Sequence, residues 1–170
     1  MLKKQWYEDK YVFYLLGFVS KEIQKFEISQ SWFEQCLELT CNDEPFRNHV
    51  LIELTDTLLW KGNEGKLALY YLEMTPQNTS QNDERFFINL LHAYISSGNL
   101  EHASHCIKSE EFSKIKSNLE LNYLLGLYLY KRKEYIKSKQ IWNYILSCPA
   151  VFMKDKLIKN HIMKYISYSS

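Results

Sequence analysis

The 170-residue chain holds only three prolines and five glycines. Breakers are therefore scarce, long helices fit, and a Pro/Gly-rich flexible or fibrous protein is excluded. No stretch approaches 18 uncharged apolar residues, so no membrane-spanning helix is expected. Net charge is only +1, which argues against a general nucleic-acid binder. Of the four cysteines, Cys36, Cys41, Cys106 and Cys148, no two stand in CxxC spacing. Free thiols in a reducing compartment are the expectation. GxSxG, HExxH and P-loop patterns are all missing, and no run of alternating strand residues bounded by turns occurs. No catalytic residue, cofactor or metal is therefore assigned, and the chain is expected not to be an enzyme. The start, MLKKQWYEDK, has acids close behind its lysines and no long apolar run before a small-residue cleavage site. No secretory leader is expected there, and a cytoplasmic setting follows, with the nucleus open.

What is abundant is apolar and aromatic. Hydrophobic residues make up 46% of the chain, enough for a folded core, and thirteen are tyrosines, which suit half-buried positions and interfaces. The near-zero net charge hides a gradient. Residues 1–100 carry nine Lys/Arg against fourteen Asp/Glu, and residues 101–170 carry twelve against six. A lysine-rich solvated face accounts for the second half, and orientation of a partner is the alternative.

Helical spacing dominates. Phe87, Leu90, Leu91, Tyr94 and Ile95 recur at three and four residues. The spacing predicts helices near 5–23, 26–40, 45–61, 64–74, 84–97, 100–109, 117–131, 134–147 and 150–167. Gly62-Asn63 and Gly98-Asn99 read as helix stops followed by N-caps. Pro45 suits a first turn, and Pro149 ends a helix. Thr75 to Asn82 is a polar loop, and its Asn78-Thr79-Ser80 sequon marks it as surface.

The segment Leu121–Leu146 pairs two apolar-periodic helices around a short polar break, and weaker copies lie upstream. Equivalent positions Gly17, Thr55, Leu91 and Gly126 are spaced 38, 36 and 35 residues apart. The first copy carries Leu16-Gly17, Ser20, Phe26, Ser29, Phe33 and Cys36. The second, the most degenerate, carries Leu54-Thr55, Leu58, Gly62, Ala68 and Leu72, with a one-residue shift around Gly65. The third has Leu90-Leu91, Tyr94, Gly98, Leu100, Ala103 and Ile107. The fourth has Leu125-Gly126, Leu129, Tyr135, Ser138, Trp142 and Ile145, with Lys133 at the turn. One helix pair cannot bury its apolar stripe alone, so stacked pairs share a core and about three or more are needed.

This pattern resembles the tetratricopeptide repeat (TPR), a helix–turn–helix unit, over about residues 11 to 150. The resemblance implies an all-α fold: a right-handed helical-repeat solenoid of antiparallel helix pairs, a single domain over 1–170. Its repeats fall at about 11–41, 45–75, 84–110 and 118–148. A C-terminal capping helix at 150–167 would cover the fourth repeat with Phe152, Leu157, Ile158, Ile162 and Ile166, leaving Lys154, Lys156, Lys159 and Lys164 in water.

In that family the first helix of each pair lines a concave groove. Carried over, the lining is Tyr14 and Phe18; Ile52, Asp56, Leu59 and Trp60; Ile88, His92 and Ile95; and Tyr123, Leu127, Tyr130 and Lys131. The Lys/Asn/Arg set that clamps a C-terminal carboxylate in well-known members is missing. The aromatic lining implies a protein partner, an extended peptide or a helix, held by an adaptor or scaffold subunit. The alternative is a cytosolic chaperone shielding an apolar client segment, similar to the translocator chaperones of type III secretion. An RNA- or lipid-surface binder using the basic C-terminal half is weaker, because overall charge is neutral. Trp6, Tyr7, Tyr11 and Phe13 form an apolar patch available for homodimerisation. His102, His105 and Cys106 share a helical face at zinc-like spacing. No fourth ligand stands out, so a polar outer face is the reading.

Overall fold

The computed structural model describes residues 9–40, 43–62, 64–75 and 84–167. Trp6, Tyr7, Cys41, Asn63 and the Asn78 sequon lie outside the described residues. Of those described, 82% are helical and none is in a strand. The helices are α1 (Lys10–Glu22), α2 (Phe26–Leu39), α3 (Glu44–Lys61), α4 (Gly65–Glu73), α5 (Glu84–Ser97), α6 (Leu100–Ile107), α7 (Glu110–Lys114), α8 (Leu119–Lys131), α9 (Tyr135–Ser147) and α10 (Met153–Ser167). Among the described residues, no helix is long and apolar enough to cross a membrane. The chain divides into two compact units, Met1–Ser97 and Gly98–Ser170, with the boundary at the turn of the third copy.

Local chemistry explains where four of the helices begin. The Asp9 carboxylate accepts from the Tyr11 amide at 2.8 Å, and Asn118 Oδ1 from the Glu120 amide at 2.9 Å. Each satisfies an amide that the first turn would otherwise leave without a partner. Pro45 sits in the first turn of α3, and Asp43 accepts from the Phe46 amide at 3.3 Å. Ser109 does the same for Phe112 at 3.3 Å and starts α7. This short helix was not among the nine expected. Glu110-Glu111, read as a helix boundary, is its first turn.

The 38–36–35 spacing reappears in the backbone. Four positive-φ residues occur among the described residues: Gln24 (60°), Gly62 (110°), Gly98 (82°) and Lys133 (65°). Each lies seven residues after its copy's anchor, Gly17, Thr55, Leu91 or Gly126. Each therefore turns the chain between the two helices of a pair. Gln24 and Lys133 occupy a left-handed conformation that costs L-residues energy. In both turns an amide reaches back to the last helical turn. Lys25 N donates to Ser20 O at 2.8 Å and Glu134 N to Leu129 O at 2.9 Å. The second helix then starts two residues after the turn residue, except α4, which starts three after Gly62. That is the one-residue shift expected around Gly65.

Each second helix carries a small residue at the equivalent position. Ser29, Ala68, Ala103 and Ser138, the equivalent positions of the second helices, are all fully buried. In the first and fourth copies the contact is the same, atom for atom. Ser29 Oγ donates to Gly17 O at 2.9 Å, and Ser138 Oγ to Gly126 O at 2.9 Å. One turn beyond each serine an aromatic ring lies on the glycine. A Cβ at Gly17 would stand 2.7 Å from the Phe33 ring, and one at Gly126 would stand 2.2 Å from Trp142 Nε1.

The last helix packs on α8 and α9. Leu157, Ile158 and Ile162 are buried as expected, but Phe152 is 70% exposed. It precedes α10, where its amide, with that of Val151, donates to the Asp155 carboxylate, each at 2.9 Å. Two of the four lysines are also not simply solvated. Lys154 pairs with the buried Glu120 at 3.0 Å. Lys159 donates to Leu146 O at 2.9 Å and to Cys148 O, closing the carbonyl end of α9.

Two substitutions test this geometry by urea unfolding. Gly126→Ala is expected to cost at least about 1–3 kcal/mol, because Trp142 is fully packed and cannot retreat. Lys133→Gly is expected to stabilise by about 0.5–1 kcal/mol, relief of the left-handed backbone outweighing the glycine's added freedom when unfolded.

Candidate functional site

The thirteen residues carried over as a groove lining fall in both units. Nine of them, Ile52, Asp56, Leu59, Trp60, Ile88, His92, Ile95, Tyr123 and Leu127, are buried by the chain itself and offer no surface to a partner. The reason is plain for α3, which packs against α1, α2, α4 and α5. From Val50 to Trp60 only Glu53 escapes full burial. A stripe read from one helix cannot show how many neighbours that helix has. Four residues remain accessible. Phe18 is 38% exposed, Tyr14 and Tyr130 are half-buried, and Lys131 is exposed.

In the first unit the buried face is organised by charge. Lys21 of α1 reaches Asp56 of α3 at 3.0 Å and bonds Glu53 one turn earlier. The Trp60 indole donates to the other Asp56 oxygen at 3.1 Å, and the Arg85 guanidinium stands 3.8 Å from it. The His92 ring meets Trp60 edge-on, with centroids 5.4 Å apart. Burial alone would lower the Lys21 pKa, but the Asp56 and Glu53 carboxylates outweigh it and hold the ammonium above its ordinary value. Asp56 is the groove residue that sequence reasoning placed here. Lys21, Glu53 and Arg85 were missed. The available signal was an acid inside the apolar run Leu51–Trp60, which cannot stay buried without a cation.

In the second unit the ordering element is aromatic. Tyr130 touches Tyr135, Trp142 and Tyr165 at centroid distances of 5.2, 5.6 and 5.2 Å, and Trp142 touches Tyr165 at 5.4 Å. The Tyr123 hydroxyl faces His161 Nδ1 at 3.5 Å. Burial raises the pKa of Tyr123 and lowers that of His161, so both rings are held neutral. Lys21 held charged and Tyr123 held neutral are the opposite of groups poised to exchange protons near pH 7. This chemistry orders side chains.

Outside these clusters, His102 Nδ1 contacts Asn99 Oδ1 at 2.8 Å, on the first turn of α6. Among the described residues no group of three or more His, Cys, Asp or Glu is placed to hold a metal ion. Cys36, Cys106 and Cys148 are free thiols. No protein-family model matches the chain, and no curated protein matches it.

The charge cluster sets a pH dependence. Ordinary values are 10.5 for Lys21 and 10.0 for Tyr123, and both are raised in the fold. Above pH 10 the unfolded chain releases both protons while the folded chain keeps them, so stability falls as pH rises. Lys21→Met should cost about 3–5 kcal/mol at neutral pH, because it leaves Asp56 buried without its ammonium partner. The same variant should show a shallower loss of stability above pH 10, read from urea midpoints across pH.

Proposed function

We propose that the chain is a non-enzymatic protein-interaction subunit, an adaptor or scaffold built as a TPR-like, right-handed stack of four helix pairs. The observation that carries this reading is the repeat itself. Four turns recur at 38, 36 and 35 residues, each followed by a second helix with a small, fully buried residue at the equivalent position. Repeats of this kind present elongated faces suited to polypeptides. Because the step from fold to role is an argument by architecture, partner and pathway stay unnamed.

Of the accessible residues of the carried-over set, Tyr14 and Phe18 of the first unit suit a peptide or helix with apolar anchors. Phe18 stacks on Tyr14 at a centroid distance of 6.5 Å, and Lys21 lies over the Phe18 ring at 5.4 Å. The ring is thus held rigid with one face accessible, which lowers the entropy lost on binding.

The test is affinity purification with the full chain as bait, wild type against Phe18→Ala. Phe18 also packs on Tyr14, so capture is compared at a temperature well below both thermal midpoints. A stoichiometric protein partner, lost or bound at least about tenfold more weakly by the variant, is expected, tenfold being about 1.4 kcal/mol. Undiminished capture by the variant overturns the assigned surface. A client found only when freshly synthesised, and degraded when this chain is deleted, replaces the adaptor reading with a chaperone one.

A further inference from the structure

The four copies share a face that only the first leaves uncovered. Positions equivalent to Val19 are Thr57, Ala93 and Tyr128, at the repeat's own spacings. All three are buried. Each is covered by the second helix of the preceding pair. The Thr57 hydroxyl meets Ser29 of α2 at 3.2 Å. Ala93 shares a core cluster with Ala68 and Leu72 of α4. Tyr128 hydrogen-bonds Ser104 of α6. Val19 is 55% exposed. One turn earlier, Glu53 is partly exposed and Asn89 and Leu124 are buried, while Leu15 is 59% exposed.

The uncovered face is a continuous ridge. Tyr11, Leu15, Val19 and Ile23 are spaced by four, and each is 54–59% exposed. Leu16 and Phe18 flank them and are also exposed. Solvent-facing ends of repeat stacks are ordinarily polar. Here no charged residue occurs from Tyr11 to Ser20. The flanking lysines are drawn inward, Lys10 to Asp43 at 2.5 Å and Lys21 to Glu53 and Asp56.

We propose that α1 is a dimerisation helix, whose Tyr11-Leu15-Val19-Ile23 ridge packs against the same ridge of a second copy of this chain. Three features favour a second copy. The face is the one that receives a helix in every later pair, so its occupant is helical. A ridge with a step of four fits the groove of an identical ridge at a crossing near −50°, which a two-fold axis supplies. The exposed part of these six side chains is on the order of 500 Å², so a symmetric pair buries roughly 1,000 Å², the lower bound for a specific interface. With both lysines engaged inside their own protomer, Glu22, beside the end of the ridge, is the one charged residue of α1 left exposed. The ridge overlaps the N-terminal patch inferred from sequence, whose Trp6 and Tyr7 lie outside the described residues. Tyr11 belongs to it, but Phe13 is only partly exposed and stacks on Trp32 at 5.6 Å. This inference does not rest on the adaptor reading.

Sedimentation velocity of the full chain over about 1–100 µM tests it. A reversible dimer is expected. Leu15→Glu/Val19→Glu should weaken it at least about 100-fold, because two charges per protomer enter an apolar contact. Circular dichroism should show unchanged helix content, since both sites are exposed. Tyr11→Lys/Ile23→Lys, at the ends of the ridge, is the second disrupting variant. Met163→Glu on α10, also exposed, should leave the dimer intact. Any of three results overturns the proposal: a wild-type monomer throughout the range, open-ended growth beyond two copies, or a dimer that survives both ridge variants. A monomer that binds neutral phospholipid vesicles, and loses that binding in Leu15→Glu/Val19→Glu, assigns the ridge to a lipid surface instead.

Discussion

When a serine hydroxyl donates to the carbonyl of a glycine on the facing helix, two backbones must come close enough for that bond to form. Only a residue without a side chain permits it. Gly17 with Ser29, and Gly126 with Ser138, meet this condition at the same 2.9 Å. The space left by the missing Cβ is taken by Phe33 or Trp142, each one turn beyond its serine. The hydrogen bond, the close approach and the aromatic seal are thus one device, used in the first and last pairs. Shape complementarity of this kind selects a single packing, because any added methylene displaces a fully buried ring. The middle copies carry Thr55 and Leu91 in place of the glycine and the buried Ala68 and Ala103 in place of the serine, so the device is absent from them.

The repeat register was legible because glycine and small residues recur at unequal but related intervals, and the backbone keeps those intervals. Gly62 and Gly98 announce their turns. Gln24 and Lys133 do not, since nothing in a glutamine or lysine signals positive φ, and only alignment with the other copies locates them. The all-helical class was legible from three-and-four spacing. The five-residue α7 was not, since five residues are too few to show a period. The faces proved hardest to assign. The carried-over lining marks first-helix positions correctly in register, yet burial depends on how many elements surround each helix. Leu59 and Trp60 are core, whereas Phe18, in the first described helix, is exposed.

The charged residues follow the same division between local and distant causes. Asp9, Asp43, Ser109 and Asn118 cap helices within three residues of themselves, whereas Asn99, the N-cap read from sequence, makes no side-chain cap bond. Lys21 with Asp56, Lys154 with Glu120, and Lys159 with the end of α9 join residues 11 to 35 positions apart. Each tethers one helix to another through a cation whose aliphatic stem packs and whose head satisfies buried oxygens. Lysines that sequence composition assigns to a solvated face thus become fasteners, and the basic second half of the chain spends part of its charge internally.

Cys36 carries one more consequence. Its side chain is fully buried, its thiol donates to Lys10 O at 3.1 Å, and burial pushes its pKa up to about 11. Alkylating reagents attack the thiolate, so this sulfur is silent while the first helix pair is closed. Its modification therefore clocks the opening of α1 from α2, the same motion that would dissolve the apolar ridge on the outer side of α1.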